Sequence, residues 1–180
     1  NANSFFIFCR VTENEAKEQA ENNWSDIEKD FFETTDVWFV TEDCTKPFNW
    51  PKGDYNAFMS VFNCNPKFID EKEFQVFYMN PDMITYICVH EMLHFIFYEF
   101  LEKVFAEEYQ NYDKEFIWKL TEVFNDVLLR EPEFVNITGI KEPGIYAQSQ
   151  KEMEKNLALW KDSDSVESFV KSYFSHWDSH

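Results

Sequence analysis

Residues 83–97 read MITYICVHEMLHFIF, a stretch that is apolar around nearly the whole circumference of a helix. A helix of this kind is predicted to be buried. Its ionisable side chains of consequence are His90, Glu91 and His94. Burying a carboxylate and two imidazoles without partners would cost several kcal/mol, and packing does not require those residue types. The sequence therefore predicts that these three side chains share a partner.

The order of His90, Glu91 and His94 is the pattern H-E-x-x-H. Four residues of helix bring His94 over His90 on one face, so both imidazoles can reach a single ion while Glu91 projects beside them. This arrangement is typical of zinc hydrolases. The alternative is a pair of core histidines satisfied by hydrogen bonds, with Glu91 paired to a lysine or an arginine.

A catalytic zinc ion takes three protein ligands, so a third ligand must come from elsewhere in the chain, and Glu122 is the candidate. The metal-binding helix and the next helix, residues 114–130, are expected to form an antiparallel hairpin. His94 and Glu122 then lie at the same height, because their midpoint, residue 108, falls within the polar, turn-like connection at residues 106–113.

Asp126 lies one helical turn beyond Glu122, where it could accept the remaining N–H of a liganding histidine and fix its tautomer. The apolar stripe of this helix lies on the other side, so a solvated acidic face is the alternative for both carboxylates. Trp118 and Leu129 flank Glu122 on that side, which leaves room for a helix packed on two faces.

The rest of the chain predicts an α+β fold in one domain. Strands are predicted at residues 4–11, 36–42, 57–63 and 74–79. Helices are predicted at residues 12–32, 80–105 and 114–130, and two more close the chain after a loop at residues 131–146. We expect a single domain over residues 1–180. Within it, residues 1–105 hold the sheet, the first helix and the metal-binding helix, and residues 106–180 hold the remaining helices.

Composition and charge exclude several classes of protein. With 44% apolar residues and 21 Phe, the chain can bury a sizeable core. The 16 Lys and Arg residues against 34 Asp and Glu give a formal net charge of −18, which would repel a phosphate backbone, so nucleic acid is not an expected partner. No apolar run is long enough to span a membrane.

The four cysteines lack C-x-x-C spacing and favour buried reduced thiols, with two disulfides as the alternative. The sequence does not fix the compartment. The cytoplasm is favoured, and secretion is the alternative if a leader was removed. The oligomeric state is also left open.

The pattern of His90, Glu91 and His94 followed by Glu122 and Asp126 resembles the gluzincin metallopeptidases, the thermolysin-like group that includes the short minigluzincins. The resemblance covers roughly residues 57–126. It implies one zinc ion per chain held by the two histidines and Glu122, Glu91 as general base, and Asp126 orienting a histidine. The implied fold is zincin-like, with a small mixed sheet, an upstream helix, a buried metal-binding helix, an antiparallel glutamate helix and a helical C-terminal region.

The family also has an edge strand that binds extended peptide, and the Asn56-Ala57-Phe58 segment resembles the corresponding strand of thermolysin. The resemblance thus implies that Asn56 and Ala57 bind substrate, and we expect residues 56–60 to form an exposed edge. The spacing from the second histidine to the glutamate is longer than in thermolysin, and that enzyme's large C-terminal subdomain has no counterpart. For the group that steadies the transition state, Tyr146 and His176 are candidates by residue type.

These observations predict a zinc-dependent peptidase acting on a peptide or protein substrate, in which Glu91 takes a proton from the attacking water and passes it to the leaving amine. Two alternatives from other classes stay open. The first is a binding or regulatory module on a zincin scaffold that holds metal without cleaving. The second is a non-enzymatic helical domain with a fortuitous motif.

Overall fold

The structure, a computed structural model, describes residues 6–7, 50–61, 64–77 and 81–177. Within these ranges a small sheet packs against a set of helices, which confirms the α+β class at a coarse level. The predicted helix at residues 12–32 and the predicted strand at 36–42 lie outside the described residues.

The sheet is mixed, as expected. Its strands are β1 (Phe6–Ile7), β2 (Asn56–Ser60), β3 (Lys67–Phe68) and β4 (Glu73–Phe77). The strand order is β1-β2-β4-β3, with β2 parallel to both neighbours and β3 antiparallel to β4. The expectation that residues 56–60 form an exposed edge is therefore wrong, because β2 lies between β1 and β4. In the described region of the sheet, β3 is the edge next to β4.

Alternation along β2 and β4 places one face of the sheet in the core. Ala57 pairs with Phe74 and Met59 pairs with Val76, and all four side chains are buried. The Phe74 ring lies 6.2 Å from the ring of Phe95, so this face packs against the long helix that follows the sheet.

After the sheet the described chain is helical. A 3₁₀ turn (Pro81–Met83) leads into α1 (Ile84–Val104), followed by α2 (Ala106–Asn111), α3 (Lys114–Leu128), α4 (Pro132–Thr138), α5 (Gln150–Lys161) and α6 (Val166–Trp177). The helix predicted at residues 80–105 is thus confirmed as α1, which spans Ile84–Val104. Helices α1 and α3 are antiparallel, since His94 lies beside Glu122 while the preceding turn, at His90, lies beside Asn125.

Aromatic rings join the helices into one core. Phe97 of α1 stacks on Phe124 of α3 with ring centroids 3.8 Å apart. On its other side Phe124 meets the edge of Trp160 of α5 at 6.1 Å, and Trp160 in turn meets Phe169 of α6 at 5.3 Å. Helix α3 is therefore packed on more than one face.

Two segments predicted as irregular contain helices. The connection at residues 106–113 includes α2, because Ala106 and the following Glu residues favour helix. The loop at residues 131–146 includes α4, which has Pro132 at its first position and ends at Gly139 with φ of 71°. Proline at the start and glycine after the end are ordinary helix boundaries, so this signal was present in the sequence.

Two further expectations concern the cysteines and the membrane. Cys88 is buried and free as predicted, whereas Cys64 is free but exposed; the other two cysteines lie outside the described residues. Within the described ranges, no helix combines the length and the apolar composition needed to cross a lipid bilayer.

Candidate metal centre

Helix α1 brings the two histidines of the motif together. The ring centroids of His90 and His94 are 4.9 Å apart, and their Nε2 atoms are separated by 3.2 Å. His94 is fully buried, while the His90 side chain is 13% exposed at the floor of a cleft. Both Nε2 atoms therefore face the same small volume.

Glu122 of α3 faces this pair. Its Oε2 lies 3.1 Å from Nε2 of His90, and its Oε1 lies 3.4 Å from Nε2 of His94. Glu122 and Asp126 are each 1% exposed, so the alternative of a solvated acidic face is wrong. Packing of α3 on two faces, against α1 and against α5, accounts for this burial.

The three ligand atoms fit a metal ion. A zinc ion with tetrahedral bonds of about 2.0–2.2 Å holds neighbouring ligand atoms about 3.3–3.6 Å apart. The two imidazole Nε2 atoms are 3.2 Å apart, and each lies close to one oxygen of the Glu122 carboxylate, at 3.1 Å from His90 to Oε2 and at 3.4 Å from His94 to Oε1. His90, His94 and Glu122 can therefore hold a metal ion, with their ligand atoms all within 4.8 Å of one another.

The protonation states suit ligation. Burial lowers the pKa of His94 to about 3, so this imidazole is neutral near neutral pH, as a metal ligand must be. Burial alone would raise the pKa of Glu122. Hydrogen bonding to His90 and the charge of Lys67 reverse that effect and hold the pKa well below its usual range. Glu122 is thus an ionised carboxylate at the centre of the cluster.

Lys67 is a member of the site that the sequence did not indicate. Its Nζ lies 2.8 Å from Oε1 of Glu122, 2.9 Å from Nε2 of His94 and 3.9 Å from Oε2 of Glu91. An ammonium group only donates hydrogen bonds, so Nε2 of His94 is the acceptor and the ring proton lies on Nδ1. That buried Nδ1 has no hydrogen-bond partner among the residues that the structure describes.

Glu91 lies at the opening of the cluster. Its side chain borders the cleft, and its buried Oε2 accepts no hydrogen bond from the described residues. Burial raises the pKa of Glu91 to about 7, against smaller lowering effects of His90 and Lys67. A carboxylate with a pKa near neutrality is suited to accept a proton and to release it again.

Among the described residues, Asp126 forms no hydrogen bond with a histidine side chain. Its Oδ2 accepts hydrogen bonds from the side chain of Gln148, at 2.8 Å, and from the backbone N–H of Tyr146, at 3.3 Å, while its buried Oδ1 has no partner in the described part of the chain. Burial raises the pKa of Asp126 despite these two bonds. The predicted hydrogen bond to a liganding histidine is therefore wrong, and Asp126 instead ties α3 to the segment before α5.

Asn125 is a second residue whose place in the site the sequence pattern did not indicate. Its Nδ2 donates to the backbone carbonyl of His90 at 2.9 Å, and the side chain is fully buried. This bond fixes the register between α1 and α3 at the level of the ligands. A polar residue next to Asp126 in an otherwise buried helix was the available signal.

The site opens into a cleft of about 800 Å³. Tyr146 lies at its rim, 72% exposed, with its ring 6.3 Å from that of Trp118. His176 is exposed near the end of α6 and is not among the cleft-lining residues, so the structure does not bring it to the site. Asn56 and Ala57 also lie away from the cleft, in the interior strand β2.

Comparisons with known protein families, with curated proteins and with solved structures find no match to this chain. The resemblance to gluzincins therefore rests on the motif residues and on their arrangement alone.

Proposed function

We propose that this protein is a metal-dependent peptidase in which His90, His94 and Glu122 hold a zinc ion and Glu91 is the general base. The observation that carries the proposal is the convergence of two imidazole Nε2 atoms and one carboxylate at 3.1–3.4 Å from one another, beside a cleft. Two imidazoles with one carboxylate form a ligand set that catalytic zinc sites use, in particular those of thermolysin-like enzymes.

A divalent ion held by these ligands would lower the pKa of water and polarise a peptide carbonyl. The chain supplies the proton transfers. Glu91 takes a proton from water as it attacks the carbonyl and delivers it to the leaving amine, for which its pKa of about 7 is suited. The buried, hydrogen-bonded Glu122 stays ionised throughout, because its pKa is held far below that of Glu91.

The substrate we propose is a peptide or an unfolded protein segment. The cleft has the volume of sites that accept several groups of a ligand, and its walls combine apolar and aromatic side chains with Lys67 and Glu91. Residues 64–67 line one side of the cleft and include the first residue of the edge strand β3. We therefore propose that an extended chain enters alongside β3 instead of pairing with β2.

We also propose that the protein is a member of the gluzincins and has a zincin-like fold. The spacing of the motif and the antiparallel arrangement of α1 and α3 support it. Asp126 departs from the family's pattern, since Gln148 and Tyr146 occupy the hydrogen-bonding position in which a histidine is expected.

The test combines metal content with hydrolysis. Protein purified without chelators is expected to contain about one zinc ion per chain by elemental analysis and to cleave an unfolded protein or a mixed peptide library. Glu91→Gln is expected to retain the metal and to lose at least about a hundredfold in activity, because the general base is removed. Glu102→Gln, on the exposed face of the same helix, is the matched control and should retain both. Full activity in Glu91→Gln would exclude the proposed role of Glu91.

One observation favours a second candidate, a non-enzymatic domain in which the motif is fortuitous. The Lys67 ammonium already contacts two of the three ligand groups, so the buried charge of Glu122 has a cationic partner within the chain. This candidate predicts metal content at background level and no cleavage of any library peptide. The same two measurements distinguish it from the peptidase.

A further inference from the structure

Lys67 occupies the centre of the candidate metal site. Its Nζ is 2.8 Å from Oε1 of Glu122 and 2.9 Å from Nε2 of His94, and its side chain is 15% exposed. It is therefore a cation placed against two of the three groups that would bind metal.

Lys67 and a metal ion cannot use His94 at the same time. A neutral imidazole has one acceptor nitrogen, and Nε2 of His94 accepts from Lys67 in this structure. The same lone pair would form the bond to an ion. Two positive charges held at such short range by the same carboxylate would also repel each other. Ligation therefore requires the ammonium to leave Nε2.

The contact between Lys67 and Glu122 has an energetic reason. Glu122 is 1% exposed, and a buried carboxylate without a cationic partner is strongly unfavourable. We infer that Lys67 is an internal counter-cation that stabilises the ligand cluster in protein without bound metal and that a divalent ion must displace in order to bind. The inference rests on the proposed metal site and adds a device that sets its affinity.

The position of Lys67 allows this exchange. It belongs to the two-residue edge strand β3 and lines the cleft, so its side chain borders open space. The histidines and Glu122 lie instead on two packed helices. The flexible lysine stem can therefore withdraw toward the cleft while the three ligand groups stay in place.

The first experiment measures metal affinity and stability in Lys67→Met, which keeps a long apolar stem. The probes are Zn²⁺ in competition with a chromophoric chelator and Co²⁺ monitored by its visible absorption. The variant is expected to bind either ion about tenfold more tightly or better, because the intrinsic affinity is no longer reduced by the fraction of sites filled by lysine. Chelator-treated Lys67→Met is expected to unfold at lower urea concentration than wild type.

Lys103→Met is the matched control, because Lys103 forms an exposed ion pair with Glu99 on α1. It should bind both ions as wild type does. Equal affinity in wild type and Lys67→Met, or weaker binding in the variant, would overturn the inference while the metal site stands. If wild type and both variants bind no metal, the proposed function fails and the inference falls with it.

A second measurement needs no substitution and decides the question if Lys67→Met does not fold. The wild-type protein is treated with an amine-acylating reagent with and without Zn²⁺, and labelling of each lysine is followed by mass spectrometry. Lys67 is expected to become several times more reactive when Zn²⁺ is present, whereas Lys103 should not change. Unchanged or lower reactivity of Lys67, with zinc binding verified in the same sample, would contradict the displacement.

Discussion

The two carboxylates beside the Lys67 ammonium, those of Glu91 and Glu122, have pKa values that are shifted in opposite directions. Burial raises the pKa of Glu91 to about 7, and within the described ranges no hydrogen bond to its Oε2 offsets that effect. Glu122 is buried as well, but the hydrogen bond to His90 and the charge of Lys67 lower its pKa well below the usual range. Pairs of titratable groups whose surroundings separate their pKa values are a feature of catalytic sites. Here the separation favours the base role for Glu91 and the ligand role for Glu122.

Asn125 holds α1 and α3 in register at the level of His90, and the first prediction concerns the loss of its side chain. Asn125→Ala removes the hydrogen bond to the backbone carbonyl of His90 inside a fully buried interface. We expect the free energy of unfolding to fall by about 1–3 kcal/mol, since a buried polar partner is lost. Urea denaturation at pH 7 measures the change.

The control for this prediction is Asn111→Ala, at the exposed end of α2, which should alter the free energy of unfolding by less than about 0.5 kcal/mol. Equal stability of wild type and Asn125→Ala would mean that the bond to His90 does not hold the two helices together.

At the scale of elements, α1 and the position of α3 were largely predictable, while the contacts of α3 were not. The apolar circumference of residues 83–97 and the motif within it predict a buried helix, which the structure confirms as α1. The burial of Glu122 was uncertain because a helical pattern shows one apolar stripe and cannot show a second packing partner. Here the side of α3 that carries Glu122 is covered by His90 and His94 of α1 and by Lys67 of β3.

The other differences between the predictions and the structure concern which segments meet across the fold. Strand β2 lies in the interior of the sheet because of the order of the strands, and its local sequence does not determine that order. Lys67 reaches the site from a two-residue strand, and nothing in the surrounding sequence marks it. Helix α4 is different, since Pro132 and Gly139 were readable boundary signals.

The start of α5 gives the second prediction, which concerns pH. Ser149 and Glu152 form a capping box, and hydrogen bonds from the Ser149 backbone and side chain, with a further one from Lys119, lower the pKa of Glu152 from 4.5 to about 2. A carboxylate whose pKa is lower in the folded state contributes stability above its unfolded pKa, and that contribution disappears as pH falls through the folded pKa.

We therefore expect wild type to be more stable than Glu152→Gln at pH 6, and we expect the difference to shrink as pH falls from about 4.5 toward 2. Because the Glu152 side chain is about half exposed, the difference should stay below about 1 kcal/mol. Urea denaturation at pH 6, 4 and 3 measures it, with Glu154→Gln on the same helix as control. A difference that is constant across this range would exclude the linkage to Glu152.

At the scale of the whole molecule, the net charge of −18 attracts cations of every kind, so stabilisation by a cation is not in itself a sign of a specific site. Ionic strength separates the two effects. At about 0.15 M salt the Debye length is about 8 Å, so long-range attraction between the surface and free ions is largely screened. Direct bonds to two imidazoles and a buried carboxylate persist under those conditions.

The third prediction follows from this contrast. In about 0.15 M NaCl, Zn²⁺ at a hundred times its Kd is expected to raise the free energy of unfolding by about 2.7 kcal/mol, whereas Mg²⁺ at equal concentration should give little change because it prefers oxygen ligands. His90→Ala should lose most of the zinc effect, since it removes one of the three ligand atoms that converge within 4.8 Å. Thermal unfolding with each ion, followed by addition of EDTA, measures all of these effects. Equal stabilisation by both ions, or a zinc effect retained in His90→Ala, would mean that the cations act through the surface charge and not through the histidine and glutamate cluster.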